Sequence, residues 1–397
     1  MRVKLGPLST QSVAQDQLNL DVLLSEGDVL SSQSKLKIVE TLYGLEAFKL
    51  MFSPTDPRAA PFWQSYAERC RRAFDISVRT HRELLGIAQV VRDGKSREEV
   101  RAEFQQAATN ELFNNSMNLA ASVLTMSYIG NYQMLGVERE IMPWKDESGK
   151  LTELMSTWIT PQHHMKDVSV KLESWFTALA LVRIGNLKII WTDNFLDHLR
   201  LANDDQAICI FHYFSFLCWQ IARYVTIPAY VLGSRQLSHV SEHRTIPKEA
   251  AKEAKLTMAL LFPSNNKELR KWCEKQAELS SIDPGLWNFS SLNIGDRQIG
   301  EFKYFHDRLA MLKQRFDEIK PKTLPQFWHD DRDGPRWWGF INAMVILALT
   351  LTTLFFGLVQ IFESGAAIQL ARVANDWAEK QAKFAEAEAQ RESPRPV

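Results

Sequence analysis

Apolar positions along this chain fall into three patterns: recurrences at three and four residues, short β-branched runs, and one uninterrupted block. The block is 337–362, WWGFINAMVILALTLTTLFFGLVQIF, twenty-six residues without a charged side chain. As a helix it reaches roughly 37 Å, more than the ~30 Å of a bilayer's hydrocarbon core. Its polar members are Asn342, Thr350, Thr352, Thr353 and Gln360, and threonine hydroxyls on a helix can bond the carbonyl one turn back without water. Trp337 and Trp338 occupy the place of an interfacial aromatic belt. Phe340, Ile346, Leu349, Leu354, Phe355, Phe356, Gly357 and Gln360 complete the expected membrane anchor.

Ahead of the block the three-and-four spacing predicts helices. One covers 36–51, with Ile38, Leu42, Leu45 and Phe48 on a face, and one covers 62–91, through Trp63, Tyr66, Cys70, Phe74 and Val78. Another starts at Ser96, where Ser96 and Glu99 have capping-box spacing, and runs toward Gly130. Further helices are expected over 247–262, with Pro247 in the first turn, and over 269–279. Over 300–319, Phe302, Phe305, Leu309, Leu312, Phe316 and Ile319 form a heptad-like stripe that should dock on the body or on a partner. Between 167 and 233 β-branched and aromatic residues concentrate, and 187–192 and 207–211 read as strands. The stretch 207–233 is the second most hydrophobic. Arg223, His212 and Pro228 make it a better core strand and helix than a second membrane segment.

These patterns give a mainly α fold with a small β region (about 185–233), a helical soluble body and one C-terminal transmembrane helix. The expected organisation is a flexible segment over 1–35, a globular body over 36–320, a juxtamembrane turn over 321–336, the span over 337–362, and an amphipathic helix with a disordered tail over 363–397. On that last helix Leu370, Val373, Trp377 and Phe384 make one apolar edge. It could lie along the far leaflet, pair with a copy of itself, or remain a solvated tail.

Composition adds exclusions. With 45% apolar and 24% charged residues the chain has ample core. Lys+Arg and Asp+Glu balance at 47 each, so no overall basic field is present to hold nucleic acid. Cys70, Cys209, Cys218 and Cys273 include no CxxC pair, which argues against a zinc site or a disulfide framework. Residues 1–17 lack the apolar core of a secretory signal, so the large N-terminal domain is expected to be cytosolic. Asn114 and Asn288 sit in glycosylation sequons that would matter only in a lumenal domain.

Three segments together resemble a large group of filamentous-fungal proteins: LKIIWTDNFLDHLRL followed by AICIFHYFSFL, then LTMALLFP, then RFDEIKPKTLPQFWHDDRDGPRWWGF leading into ILALTLTTLFFGLVQIFESGAAIQL. In that group a tryptophan-rich polar stretch precedes one span ending in Phe-Gly-x-x-Gln, which here is Phe356 to Gln360. The resemblance covers roughly residues 75–370. It implies a fungal source, a mostly helical body and a C-terminal membrane anchor, and it carries no activity.

Candidate chemistry is sparse. His239, Glu242 and His243 have the HxxEH spacing of inverted zinc peptidases, but they sit in the polar stretch SRQLSHVSEHRTIP, where a regular buried helix and a third ligand are missing. His163 and His164 read as an exposed turn. Asp193, Asp197 and His198 follow a predicted strand, a frequent place for functional groups, although capping and local hydrogen bonding suit them better. No phosphate loop, GxSxG elbow or kinase loop is present.

The leading expectation is therefore a non-enzymatic, single-pass interaction or scaffold module without a cofactor. Its partners would be the lipid bilayer and a protein met through the 300–319 or 368–384 helix, and its oligomeric state is left open. The alternative is a membrane-tethered enzyme or accessory factor in fungal secondary metabolism or defence, with a pocket in the Asp193–His212 region. A channel or transporter subunit comes third and needs 207–233 to insert as well. A carboxylate and a histidine converging on a pocket would favour the enzyme. A filled core with an exposed 300–319 stripe would favour the scaffold.

Overall fold

The computed structural model describes residues 18–44, 56–107, 109–130, 139–162, 165, 170–222, 245–321, 323–330, 332 and 334–392. The chain divides into two compact units, 1–320 and 321–397.

The first unit is mainly helical. Its N-terminal layer holds the helices Ser32–Tyr43, Ala60–Ala73, His81–Arg92, Arg97–Glu103 and Glu111–Thr125. The continuous helix expected over 62–91 is two helices, because Thr80 starts a new one: its hydroxyl accepts from Glu83 N–H while the Glu83 carboxylate accepts from Thr80 N–H. Likewise the helix begun by the Ser96–Glu99 capping box stops at Glu103, and Asn110 caps the next by accepting from Phe113 N–H. Residues 20–30, assigned from sequence to a flexible segment, place Leu20, Leu24 and Leu30 in the core, with a 3-10 helix over Leu24–Val29 packed on Ala60–Ala73.

The β region is a three-stranded sheet. Ala207–Phe211 lies at its centre, parallel to Lys188–Thr192 on one side and antiparallel to Leu201–Ala202 on the other. The hairpin joining Leu201–Ala202 to Ala207–Phe211 turns on Asn203, Asp204 and Asp205 at φ of 55°, 52° and 60°, a left-handed conformation that Asn and Asp tolerate. A second, two-residue parallel pair, Tyr128–Ile129 with Ile141–Met142, has no counterpart in the sequence reading. After Phe211 the chain becomes the helix Phe214–Ala222. Phe216, Leu217, Cys218 and Trp219 are fully buried there, and Trp219 stacks on Tyr43 and meets Phe62 edge-on. The hydrophobicity of 207–222 is thus spent in the protein core; 223–233 lies outside the described residues. The remaining helices include Lys248–Leu261, Lys267–Leu279 and His306–Glu318.

The 300–319 stripe is not a free surface. Phe302, Phe305, Leu309, Leu312 and Phe316 are buried within the body. Glu253 secures the stripe's start, its carboxylate accepting from the backbone N–H groups of Lys303, Tyr304 and Phe305 at 2.7–2.8 Å. The apolar face of this helix is thus packed on the body.

The second unit begins with the short helix Leu324–His329, started by a Thr323–Gln326 capping box. It continues as one unbroken helix, Gly334–Glu392, of 59 residues. The helix is long and apolar enough to cross a membrane. Trp338, Ile346, Leu349, Leu354, Phe355 and Phe356 are each about 60% exposed, an apolar surface of the kind that a bilayer's hydrocarbon would cover. The hydroxyls of Thr350, Thr352 and Thr353 donate to the carbonyls of Ile346, Ala348 and Leu349, so they need no water. Phe340 stacks on Phe327 at 5.4 Å between ring centroids. The helix passes through 363 without a break, so the Leu370, Val373, Trp377 and Phe384 edge continues the axis of the apolar block.

Candidate functional site

The register Thr192↔Phe211 sets Asp193 and His212 just past the C-terminal ends of two adjacent parallel strands. In open α/β sheets ligands gather outside the carboxyl ends of parallel strands, and this parallel pair presents its ends in the same local way. Here both residues line a cavity of about 630 Å³, with Trp191 and Tyr213 from the same two segments.

Asp193 is the most heavily coordinated side chain of the cavity wall. Its Oδ1 accepts from the Tyr128 hydroxyl at 2.6 Å and from Arg139 Nη1 at 2.9 Å; its Oδ2 lies 3.3 Å from Arg69 Nη2 and 3.5 Å from the Ser65 hydroxyl. Arg69 also donates to the Asp193 carbonyl at 2.6 Å. Burial alone would raise the Asp193 carboxyl, but Arg69, the Tyr128 hydroxyl and Arg139 outweigh it and hold the group below its usual range. Asp193 is therefore an ionised structural centre. The Tyr128 phenol, buried and beside that carboxylate, is pushed up to about 12 despite the opposing Arg69.

His212 is a neutral imidazole. Its Nδ1 accepts from Asp283 N–H at 3.3 Å, which assigns the proton to Nε2. Burial lowers its pKa to about 3. Trp191 meets the ring edge-on at 6.1 Å. Asp283 in turn accepts from Ser215 N–H and from the Ser215 hydroxyl, both at 2.7 Å, and from Gly285 N–H at 2.8 Å; burial pushes its carboxyl up to about 6.

On the outer wall Glu68 bridges two guanidiniums, accepting from Arg71 Nη1 and Arg72 Nε at 2.7 Å each. Both lining carboxylates are thus each engaged by two arginines. Arg139 Nη1 serves Asp193 and Tyr128, and among the described residues its Nε and Nη2 have no hydrogen-bond partner.

The other residues weighed from sequence fall elsewhere. Asp197 accepts from Glu140 N–H, Asn194 Nδ2 and Arg200 Nε, fixing the turn after the strand. His198 accepts from Phe211 N–H at Nδ1 and donates from Nε2 to the Thr257 hydroxyl at 2.6 Å, fully inside the body. Asn114 lies within Glu111–Thr125, and its amide oxygen accepts from Arg97 and Arg101, so a glycan there would disrupt a formed network. Asn288 is exposed, with its amide nitrogen donating to the Pro284 carbonyl. His163, His164, His239, Glu242 and His243 lie outside the described residues. Among the described residues no group of three His, Cys, Asp or Glu side chains is arranged to hold a metal ion.

Sequence reasoning missed Arg69, Tyr128 and Arg139. Arg69 did carry a signal: it stands one turn after Tyr66 on the apolar face of its helix, where a guanidinium needs a buried partner. Tyr128 and Arg139 gave none, because only the fold brings them to the strand ends. No protein-family model, curated protein or solved structure matches this chain.

Proposed function

We propose that the chain is a single-pass membrane protein whose helical body, on the cytosolic side, binds a small polar ligand in the Asp193–His212 cavity. The observation that carries this reading is the cavity of about 630 Å³ at the ends of two parallel strands, inside the size range of small-molecule sites and in the place where such sites form. The buried 300–319 stripe weighs against a scaffold that works through that helix. The charge-free 337–362 block supports the anchor, and four free, buried cysteines support a reducing compartment for the body.

The groups at the cavity favour binding over acid–base catalysis at neutral pH. A general base needs a pKa near the working pH. The His212 imidazole lies far below it, and both Asp193 oxygens are occupied.

The test uses full-length protein purified in detergent from its own membranes, with small molecules released by denaturation and identified by mass spectrometry. Wild type should retain a species that Ser65→Trp, which fills the cavity wall, loses. Ser281→Trp, at the exposed rim, is a second variant should the first not fold. Equal retention by wild type and a folded variant would overturn the reading. Protease treatment of intact microsomes should digest the body and spare the C-terminal tail; a protected body would overturn the orientation.

A further inference from the structure

Resting on the cavity as a ligand site, we propose that its ligand is a small organic oxyanion, a carboxylate or phosphate ester, gripped by Arg139 and His212. The unspent charged hydrogen-bonding capacity on the wall is cationic donor, beside the neutral amide and hydroxyls of Gln64, Ser280 and Ser281. Asp193 and Glu68, the two carboxylates lining the cavity, have both oxygens engaged. Arg139 keeps its Nε and Nη2 edge, the edge with which a guanidinium meets a carboxylate or phosphate through two parallel N–H···O bonds. His212 presents Nε2–H, because Nδ1 already accepts from Asp283. A cationic ligand would find no unspent carboxylate here.

The arginine is also aimed. Nη1 is tied to Asp193 and Tyr128, and the guanidinium lies 5.3 Å from the centroid of the Tyr128 ring. This fixes the plane of the fork and leaves the opposite edge for the ligand, so little rotamer freedom remains to be lost on binding. Asp193 acts as a positioning residue for Arg139. Trp191 and Pro61, which also line the cavity, offer the organic part of the ligand an apolar surface.

The deciding measurement is the chemical class of the species retained by full-length wild type and lost by Ser65→Trp. It should carry a carboxylate or phosphate, and Arg139→Gln should retain at least tenfold less of it. Arg139→Lys should recover only part, having charge without the fork. Arg82→Gln, which breaks an exposed pair with Asp21, should leave retention unchanged. Displacement by inorganic phosphate or by succinate, with sodium chloride at equal ionic strength as the control, separates the two sources. Phosphate acting first indicates a phosphate ester, and succinate acting first a carboxylate.

A retained species that is neutral or cationic, or that Arg139→Gln holds as well as wild type, would overturn the oxyanion while leaving the binding site standing. A wild type that retains nothing beyond folded Ser65→Trp would remove the site itself. The thermal midpoint of Arg139→Gln without ligand guards against reading misfolding as lost recognition.

Discussion

Asp193 and His212 are neighbours because Thr192 and Phe211 are paired in register: each is the first residue past its strand, and the two strands run parallel. A one-residue slip would turn one of the two to the opposite face of the sheet. The site therefore depends on the central strand Ala207–Phe211 keeping its alignment, which its complete burial enforces.

Asp193→Asn should destabilise the body by about 2–3 kcal/mol, since it removes the charge that Arg69 and Arg139 share while Arg69 stays buried. Denaturant titration in detergent measures this. A loss below about 0.5 kcal/mol would mean that the guanidiniums are satisfied without the carboxylate.

The acid side of the stability curve should be set by histidines. His81 is lowered to about 4, and His198 and His212 to about 3, all chiefly by burial. Unfolded histidine titrates near ~6.5, so their contribution is present above that pH and is lost as pH falls toward the folded values. Asp283 acts with the opposite sign. Its folded pKa of about 6 is above the ordinary value, so its contribution is present below about pH 4 and is lost as pH rises through 6. Asp283→Asn should consequently show a larger drop in thermal midpoint from pH 7 to pH 5 than wild type does. An equal or smaller drop would refute the assignment.

Glu253→Ala should cost about 3 kcal/mol, because three backbone N–H groups lose one shared acceptor. Amide exchange at 303–305 should accelerate before exchange elsewhere in the His306–Glu318 helix. Unchanged exchange would show that the stripe holds this segment by packing alone.

Local patterns were legible where the determinant is local. Ser96 and Glu99 announce a helix start, and the β-branched runs at 187–192 and 207–211 mark the two principal strands. Thr80 and Glu83 have the same capping spacing as Ser96 and Glu99, yet apolar residues at helical intervals continue across them and hide the break. The stripe at 300–319 was visible, but its destination was not, because Glu253 is about fifty residues away. For the cavity, Asp193 stood out by its position after a strand. Its arginines come from the Ala60–Ala73 helix and from the segment before Ile141, and parallel pairing between strands leaves no mark in either strand's own sequence.

Spin labels at Gln369 and Glu386 should report one narrow distance near about 26 Å, the rise of seventeen helical residues. A broad or shorter distribution would place a bend in the Gly334–Glu392 helix after the apolar block.

With that helix unbroken, the proposed anchor and the tail form a lever. The thirty residues past Phe362 project for about 45 Å along the same axis. With the proposed fulcrum where the apolar block ends at Phe362, a change in tilt of about 10° would sweep the described tip sideways by about 8 Å, and such changes are small against the tilts that membrane helices adopt. Bilayer thickness would thereby become a mechanical input, amplified at the Trp377 and Phe384 edge.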